Sequence, residues 1–398
     1  MPRSRVLQFG LMMAVMASGY GVMFTVLDDF RDEYGISASW LGGIVGIGFL
    51  ASFFAQIFLA PIADRGFARR LVLGGSLLNI VGLVTMAFGE TITVLLAGRF
   101  ISGIGIGMAF PAIRRIVING DPDNLGSNVG LLLSADVAGF AAGPALSALM
   151  VPTLGIPAPF FTIAALSLLV LPVVLTVEIV ESDPTDAPAA RFAFDLLADR
   201  RMVAALMLGA ALFLMIGTFD ALWVLVLDDL GANEVMANAG ITFFALPLIF
   251  LGATGGRLAQ RVGPFRLGTL GIGLGAVFIF LYGVMPVAWA MLAVGLVHAT
   301  CDGLTASSTG VAVGMAVSGE RQAAAQGMLG AVQTLTGGVT AVLAGVLYET
   351  SGRFVAYTVS ALLMLALAAG ALVLSGAYAA PMSGAGVAPE TTTVTPHA

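Results

Sequence analysis

Apolar runs of about 20 residues recur along this chain, each followed by a short polar break. A helix needs about that length to cross the hydrocarbon core of a bilayer. The runs do not alternate between apolar and polar residues, as the strands of a membrane barrel would. Because lipid cannot satisfy free backbone groups, only helices and closed barrels span it. The pattern therefore predicts membrane-spanning helices.

The composition supports an all-α integral membrane protein. The chain is 59% hydrophobic and only 10% charged, whereas a soluble domain carries about 25% charged residues. The single cysteine, Cys301, excludes an intrachain disulfide or a cysteine metal cluster, and neither a metal nor a cofactor is expected. The chain has no lysine and so no phosphate-binding G-x-x-x-x-G-K-[S/T] loop, which argues against ATP as the energy source. No His-Glu-x-x-His motif occurs either, and we do not expect an enzyme. We also expect no nucleic-acid partner.

Twelve spans are predicted, and a long polar stretch divides them into six and six. Their approximate ranges are 6–27, 38–60, 71–89, 92–115, 127–149, 158–177, 202–227, 236–256, 267–284, 287–315, 325–347 and 354–376. We expect one six-helix bundle over 1–177, a cytoplasmic linker over 178–201 and a second bundle over 202–376. A tail over 377–398, rich in Thr, Pro, Gly and Ala, is expected to be disordered and cytoplasmic.

The distribution of arginine predicts the orientation. An even number of spans places both termini on one side, and fourteen of the seventeen arginines then lie in or near the breaks on that side. Arg31 and Arg353 lie on the other side, and Arg99 lies within a span. By the positive-inside rule, both termini are cytoplasmic and the protein is a multi-pass protein of the plasma membrane.

The two halves of the chain are repeats of each other. "ADRGFARRL" (63–71) aligns with "AQRVGPFRL" (259–267) at an offset of 196, and "GLLLSADVAG" (130–139) aligns with "GMLGAVQTLT" (327–336) at 197. The second alignment places Asp136 opposite Gln333. "VLDDF" (26–30) and "VLDDL" (226–230) mark a third equivalent position. Parallel repeats of this kind build transporters in which two bundles rock about a central site.

The loop after the second span carries a family resemblance. It contains Asp64, Arg65, Arg69 and Arg70, and is similar to the G-x-L-A-D-R-x-G-R-R loop of the major facilitator superfamily, although Pro61 replaces the first glycine. The second-half loop has Arg261 but carries Gln260 opposite Asp64. The resemblance implies two pseudo-symmetric bundles and a conformational latch formed by Asp64 with Arg65, Arg69, Arg70 and Arg261. Alternatively, these arginines only set the topology.

Two further helices resemble the same family. Gly98 to Gly107 in the fourth span is similar to its arginine-then-glycines pattern, and the glycines predict close helix packing. In the fifth span, Gly139, Gly143 and Pro144 match most of the G-x-x-x-G-P-x-x-G-G pattern of the drug–proton antiporter branch. That resemblance implies a seal between the bundles, although any helix with small residues on one face imitates part of the pattern.

Charged residues inside the spans are the candidates for chemistry. Asp136 and Asp302 lie near mid-depth, Asp220 lies in the outer third of its span, and His298 precedes Asp302 by four residues. A carboxyl group in a dry environment resists ionisation, and so can bind and release a proton near neutral pH. We predict proton coupling at Asp136, with Asp302, His298 and Asp220 behind it. A pair of His298 and Asp302 that only rigidifies its helix remains an alternative.

Arg99 and Gln333 complete the predicted cavity. An arginine near the centre of a span costs at least about 2.5 kcal/mol, which favours a role in proton coupling or in tuning an acid. The leading hypothesis is a proton-coupled exporter of a small apolar or amphipathic compound, working by alternating access as a monomer in the bilayer. The alternatives are uptake or exchange of an organic anion, with Arg99 binding it, and a membrane sensor that transports nothing.

Overall fold

The computed structural model describes residues 1–177, 179–181, 190–232 and 234–377, and over these residues every regular element is helical. The predicted tail beyond 377 and residues 178 and 182–189 of the predicted linker lie outside the described residues. The α-helices are α1 Arg3–Thr25, α2 Leu27–Tyr34, α3 Ala38–Phe58, α4 Ala68–Ala87, α5 Ile92–Gly120, α6 Leu125–Leu154, α7 Pro157–Val170, α8 Val173–Thr176, α9 Arg200–Asp229, α10 Glu234–Val262, α11 Pro264–Val284, α12 Ala288–Thr305, α13 Ser308–Ala316 and α14 Gln322–Ser375.

These helices supply the twelve spans. Eleven stretches of the described chain are long and apolar enough to cross a membrane. The last of them holds two helices, because α14 is interrupted at Gly352, whose φ of 81° is a left-handed conformation that favours glycine. The predicted end of the fourth span was wrong by five residues. There, α5 continues past residue 115 to Gly120 because Ile116, Val117 and Ile118 are apolar.

Glycines allow the close packing within each bundle that the sequence predicted. A methyl group added at Gly105 of α5 would lie 2.4 Å from the carbonyl oxygen of Gly75 on α4. One added at Gly139 of α6 would lie 1.9 Å from the carbonyl oxygen of Ala14 on α1. Only a residue without a side chain permits such backbone contact, which is how membrane helices gain packing energy.

The two bundles, α1–α8 and α9–α14, meet at two equivalent interfaces. In the first, between α6 and α10, a methyl group at Gly130 would lie 2.0 Å from the carbonyl oxygen of Gly252. In the second, between α14 and α3, a methyl group at Gly327 would lie 2.6 Å from the carbonyl oxygen of Gln56. The repeat offset of 196 to 197 relates these two contacts to each other. The duplication read from the sequence is therefore also present in the packing.

Both interfaces are tight at the end of the molecule that we name the arginine-rich end. Residues 1 and 377 lie there, because the Met1 ammonium donates to the Gly120 carbonyl and Arg266 donates to the carbonyl of Ala377. Towards the opposite end the same helices are less crowded. Methyl groups at Gly42 of α3 or Gly338 of α14 would meet no described atom within 4 Å. The contacts at Gly130 and Gly327 thus hold the bundles together towards the arginine-rich end.

The paired aspartates of the repeat lie at the opposite end in both halves, but in different structures. Asp28 and Asp29 occupy the first turn of the short helix α2, where Arg31 pairs with Asp28 at 3.1 Å. Asp228 and Asp229 instead end α9, and the Tyr348 hydroxyl donates to Asp229. The two copies therefore mark a shared ancestry of the halves rather than a shared site.

Candidate functional site

The first bundle holds an acid–base pair in the middle of its helices. Asp136 is the twelfth residue of α6, and its carboxylate lies 4.0 Å from the Arg114 guanidinium of α5. The Asp136 side chain is 30% exposed and that of Arg114 is 17% exposed, so neither is sealed in the packing. A loose, partly accessible ion pair at this depth can be broken by a proton or by a charged ligand at modest cost.

Arg99 lies elsewhere in the same bundle and has a different kind of partner. Its guanidinium stacks over the Tyr20 ring, with 3.8 Å between its carbon and the ring centroid. The side chain is buried, and Nε and Nη2 have no hydrogen-bond partner among the described atoms. A methyl group at Gly48 would lie 2.4 Å from Nε, so α3 leaves just enough room for the arginine. A buried guanidinium with unused donors is suited to receive an anionic group.

His298 and Asp302 meet as the sequence predicted, inside the second bundle. His298 Nε2 lies 3.4 Å from Asp302 Oδ2 and 3.1 Å from Met215 Sδ, while Nδ1 lies 2.9 Å from the Tyr282 hydroxyl. The consistent assignment for neutral His298 has Nδ1 accept from Tyr282 and Nε2 donate to Met215 Sδ, so that Asp302 Oδ2 lies close to Nε2 without a hydrogen bond among the described atoms. Both side chains are buried, and Phe244 and Phe278 cover the imidazole. They form a group separate from that of Asp136.

The remaining two candidates do not join either group. Asp220 on α9 is exposed, so its carboxylate is not held by the packing. Gln333 on α14 is buried and lies near Gly209 of α9, where a methyl group would approach its side chain to 3.6 Å. The six residues predicted for one cavity therefore occupy separate positions in two bundles.

Asp64 closes the arginine-rich end. Its buried carboxylate accepts hydrogen bonds from the backbone N–H groups of Ala323, at 3.0 Å, and Ala324, at 2.8 Å, in the first turn of α14. It also pairs with Arg115 of α5 at 3.0 Å. A carboxylate at a helix N-terminus satisfies free donors and interacts favourably with the helix dipole. Because α14 belongs to the other bundle, this contact joins the two halves.

Gln260 makes the equivalent contact in the other half. Its side-chain oxygen accepts from the N–H of Gly126, at 2.7 Å, in the first turn of α6, and its amide donates to the carbonyl of Asp123 at 3.0 Å. Gln260 aligns with Asp64, and Gly126 aligns with Ala323, at the repeat offset. The same joint is thus ionic in one half and neutral in the other. We call these contacts the Asp64 joint and the Gln260 joint.

The other predicted gating residues hold the surrounding chain. Arg65 donates to the carbonyl of Ala190 at 3.2 Å, and Arg69 donates to that of Val177 at 2.8 Å. Arg70 stacks over Phe67 at 5.1 Å, and Arg261 is exposed. Gly139, Gly143 and Pro144 pack against α1 of their own bundle, whereas Gly126 and Gly130 form the interface with α10. The predicted seal between bundles therefore corresponds to an earlier part of α6.

Three residues important for this geometry were missed in the sequence. Arg114 and Arg115 were counted only among the arginines in or near the cytoplasmic breaks, because the fourth span was ended at residue 115, although the next helix-breaking residues are Gly120 and Pro122. Gln260 was taken as the loss of an acid, yet an amide oxygen also accepts a backbone hydrogen bond. Its alignment with Asp64 was the signal that identified it.

Comparison with known proteins agrees with this architecture. The profile described as Major Facilitator Superfamily matches residues 9–227, and that described as MFS_1 like family matches residues 136–359. The 4-hydroxybenzoate transporter PcaK of Pseudomonas putida is 31% identical over 128 residues, which cover 31% of this chain and 28% of PcaK. The quinolone resistance protein NorA of Staphylococcus aureus is 26% identical over 165 residues, covering 41% of this chain and 42% of NorA. The matched segments thus span less than half of these curated relatives.

Solved structures share the fold over nearly the whole chain. The human organic anion transporter MFSD10 superposes with a TM-score of 0.74 at 19% identity, over 93% of this chain and 100% of that one. The proton:xylose symporter XylE superposes with a TM-score of 0.75 at 14% identity, over 94% of this chain and 97% of that one. Identities this low establish the fold alone.

Proposed function

The chain belongs to the major facilitator superfamily of transporters, and we propose that it exchanges protons for a small apolar or amphipathic compound, which it exports by alternating access. The positive-inside rule places the arginine-rich end in the cytoplasm of a cell bounded by this plasma membrane. The conformation described above is then closed to the cytoplasm and open outward. The protein works as a monomer, since each chain supplies both bundles.

The Asp136–Arg114 pair is the observation that carries this proposal. Arg114 pairs with Asp136, and the next residue of α5, Arg115, pairs with Asp64. A proton on Asp136 neutralises its carboxylate and removes its attraction for Arg114. Helix α5 is then free to shift relative to its two contacts, Arg114–Asp136 and Arg115–Asp64. Because α6 carries both Asp136 and the Gln260 joint, the same proton acts on both interfaces. Protonation is thereby coupled to opening of the cytoplasmic end.

The nature of the exported compound rests on the apolar surroundings. A cavity of about 300 Å³ in the second bundle is lined by Trp223, Phe244, Leu292 and Leu296, among others. Aromatic and aliphatic walls accept flat or flexible apolar molecules without specific hydrogen bonds. The partial likeness to NorA and the glycine–proline pattern of α6 favour export over uptake.

Flux measurements on the full chain in proteoliposomes test this proposal. A quinolone placed on one side should cross at least tenfold faster when the receiving side is the more acidic one, because each molecule leaves against an entering proton. An enclosed pH-sensitive dye should report proton movement in the opposite direction. Transport that ignores the gradient, or proton movement in the same direction as the quinolone, would contradict proton exchange.

A second candidate function is favoured by Arg99. Its unused donors lie in the first bundle, where the guanidinium stacks on Tyr20 and has no carboxylate partner among the described residues, whereas Arg114 is paired with Asp136. Such a site fits a small organic anion, and the partial likeness to PcaK points in the same direction. In that case the protein moves a carboxylate, with Arg99 as its binding group.

The substitution Arg99→Gln separates the two candidates. If a carboxylate binds at Arg99, 4-hydroxybenzoate should bind the wild-type protein at least tenfold more tightly than its neutral amide, since a hydrogen bond to a charged group contributes about 1.5–3 kcal/mol. Arg99→Gln should abolish that preference, measured by competition binding in detergent, whereas Arg31→Gln at the exposed end should preserve it. A wild-type protein that binds acid and amide equally would remove the anion hypothesis.

A further inference from the structure

A cavity at the arginine-rich end contains none of the residues used above for proton or substrate binding. It encloses about 460 Å³ and is lined by Phe58, Leu59, Ile62, Arg65, Arg191 and Phe192. The first four residues belong to the end of α3 and the loop after it, and the last two precede the 3₁₀ turn at 193–198. The cavity therefore lies between the first bundle and the chain segment that leads into the second.

The segment that forms one wall is fixed to the body of the protein. Arg321 donates to the carbonyls of Ala190 and Phe192, both at 3.2 Å, and also pairs with Asp195. Ala193 is fully buried against the second bundle. Phe192 packs edge-on against Phe58 of α3, with ring centroids 5.5 Å apart. This wall of the cavity is therefore held in place, and its Phe192 contacts Phe58 of α3.

The cavity continues an exposed apolar stripe along α3. Leu50, Phe54 and Phe58 recur every fourth residue on α3, Ile62 lies in the 3₁₀ turn that follows, and these residues are all exposed. From Leu50 to Phe58 a rise of about 1.5 Å per residue gives about 12 Å, and the turn to Ile62 brings the stripe close to the roughly 15 Å of hydrocarbon in one leaflet. One acyl chain therefore fits the stripe from the middle of the membrane to the arginine-rich end.

Positive charge lies where that stripe ends. Arg65 and Arg191 line the cavity, and the Arg191 guanidinium stacks over Phe192 at 5.5 Å. Arginine matches phosphate oxygens in geometry as well as in charge. By the positive-inside rule this end faces the cytoplasmic leaflet, which is the one that carries anionic lipids.

We propose that this cavity binds one anionic phospholipid, with its phosphate between Arg65 and Arg191 and an acyl chain along Leu50, Phe54, Phe58 and Ile62. The lipid contacts α3 of the first bundle and the segment anchored to the second. It therefore stabilises the conformation that is closed at this end. The inference concerns a lipid site and does not depend on which compound the protein transports.

Native mass spectrometry of the full chain in detergent tests the site with dioleoyl phosphatidylglycerol. This lipid should bind about 25-fold more tightly than dioleoyl phosphatidylcholine, which has the same chains but no net charge, because each of the two arginines near an anionic group contributes about a factor of five. Arg191→Gln should remove most of this preference, and Phe58→Ala should weaken both lipids. Arg200→Gln, an exposed arginine at the same end but outside the cavity, should leave the preference unchanged.

Three outcomes would overturn the proposal. Equal binding of the two lipids would show that charge plays no part. A preference that Arg191→Gln leaves at its wild-type size would place the lipid elsewhere. Inorganic phosphate that displaces phosphatidylglycerol at equal concentration would show an anion site without a role for the acyl chain. Because Arg191 is exposed, its substitution should not unfold the chain, and an unchanged melting temperature verifies that.

Discussion

Asp64→Asn is expected to open the arginine-rich end of the protein. The carboxylate is buried and holds Arg115 together with two backbone N–H groups of α14. Asparagine has nearly the same shape but lacks the charge, so it weakens all three contacts at once. The two N–H bonds to α14 are the contacts that cross between the bundles, and a hydrogen bond to a charged group contributes about 1.5–3 kcal/mol, so weakening both costs on the order of 3 kcal/mol. That corresponds to more than a hundredfold change in the ratio of closed to open molecules.

Cysteine cross-linking measures this change directly. Asn119 of α5 donates to the carbonyl of Gly319 at 2.8 Å, and a methyl group at Gly319 would lie 3.5 Å from the Asn119 side-chain carbon. In a Cys301→Ser background, the pair Asn119→Cys and Gly319→Cys should form a disulfide in the closed state, because the side chains meet at suitable range. Asp64→Asn should reduce the yield of this disulfide to a small fraction.

Two further variants make this test specific. Asp123→Asn removes an exposed charge at the same end and should leave the disulfide yield unchanged. Gln260→Leu breaks the neutral joint and should lower the yield by less than Asp64→Asn, since neutral hydrogen bonds contribute about 1 kcal/mol each. A disulfide that forms as readily with the Asp64→Asn substitution as without it would show that the Asp64 joint does not hold the closed state.

The architecture was predictable because lipid leaves a chain few options. Apolar runs of one length, with arginine on alternate breaks, predict helices and their orientation by the energetics of insertion alone. The repeat added the two bundles, and the equivalent contacts at Gly130 and Gly327 agree with it. The ends of the helices were harder to predict. Apolar residues after Arg115 extend α5, and no sharp change in the sequence marks where the lipid ends.

The site was less predictable because hydropathy does not show towards which neighbouring helix a side chain points. Arg114 and Arg115 are adjacent, yet one turns to Asp136 of its own bundle and the other to the Asp64 joint. Spacing on one helix correctly predicted that His298 and Asp302 meet, since residues four apart share a face. No comparable rule relates residues on different helices. For that reason the contact between Asp136 and Arg114 could not be predicted from the sequence.

The Asp136–Arg114 pair and the His298–Asp302 pair differ in how well each could carry the coupled proton. His298 and Asp302 are sealed beneath aromatic rings, whereas Asp136 is partly accessible and shares α5 with the Asp64 joint through its partner Arg114. A coupling group must exchange its proton with water and also influence the conformation. We therefore propose Asp136, which is partly exposed, as the coupling group in preference to the buried pair.

Asp136→Asn should therefore abolish proton-driven transport while leaving the fold intact. Asparagine neither binds nor releases a proton, so flux driven by a pH gradient should fall below about a tenth of the wild-type rate. Exchange of labelled for unlabelled substrate at equal pH should persist, because that reaction moves no net proton. Asp28→Asn makes the same chemical change at the exposed end of the first bundle and should preserve both activities. Gradient-driven flux that survives in Asp136→Asn, but is lost in Asp302→Asn, would instead place the proton on the buried pair of the second bundle.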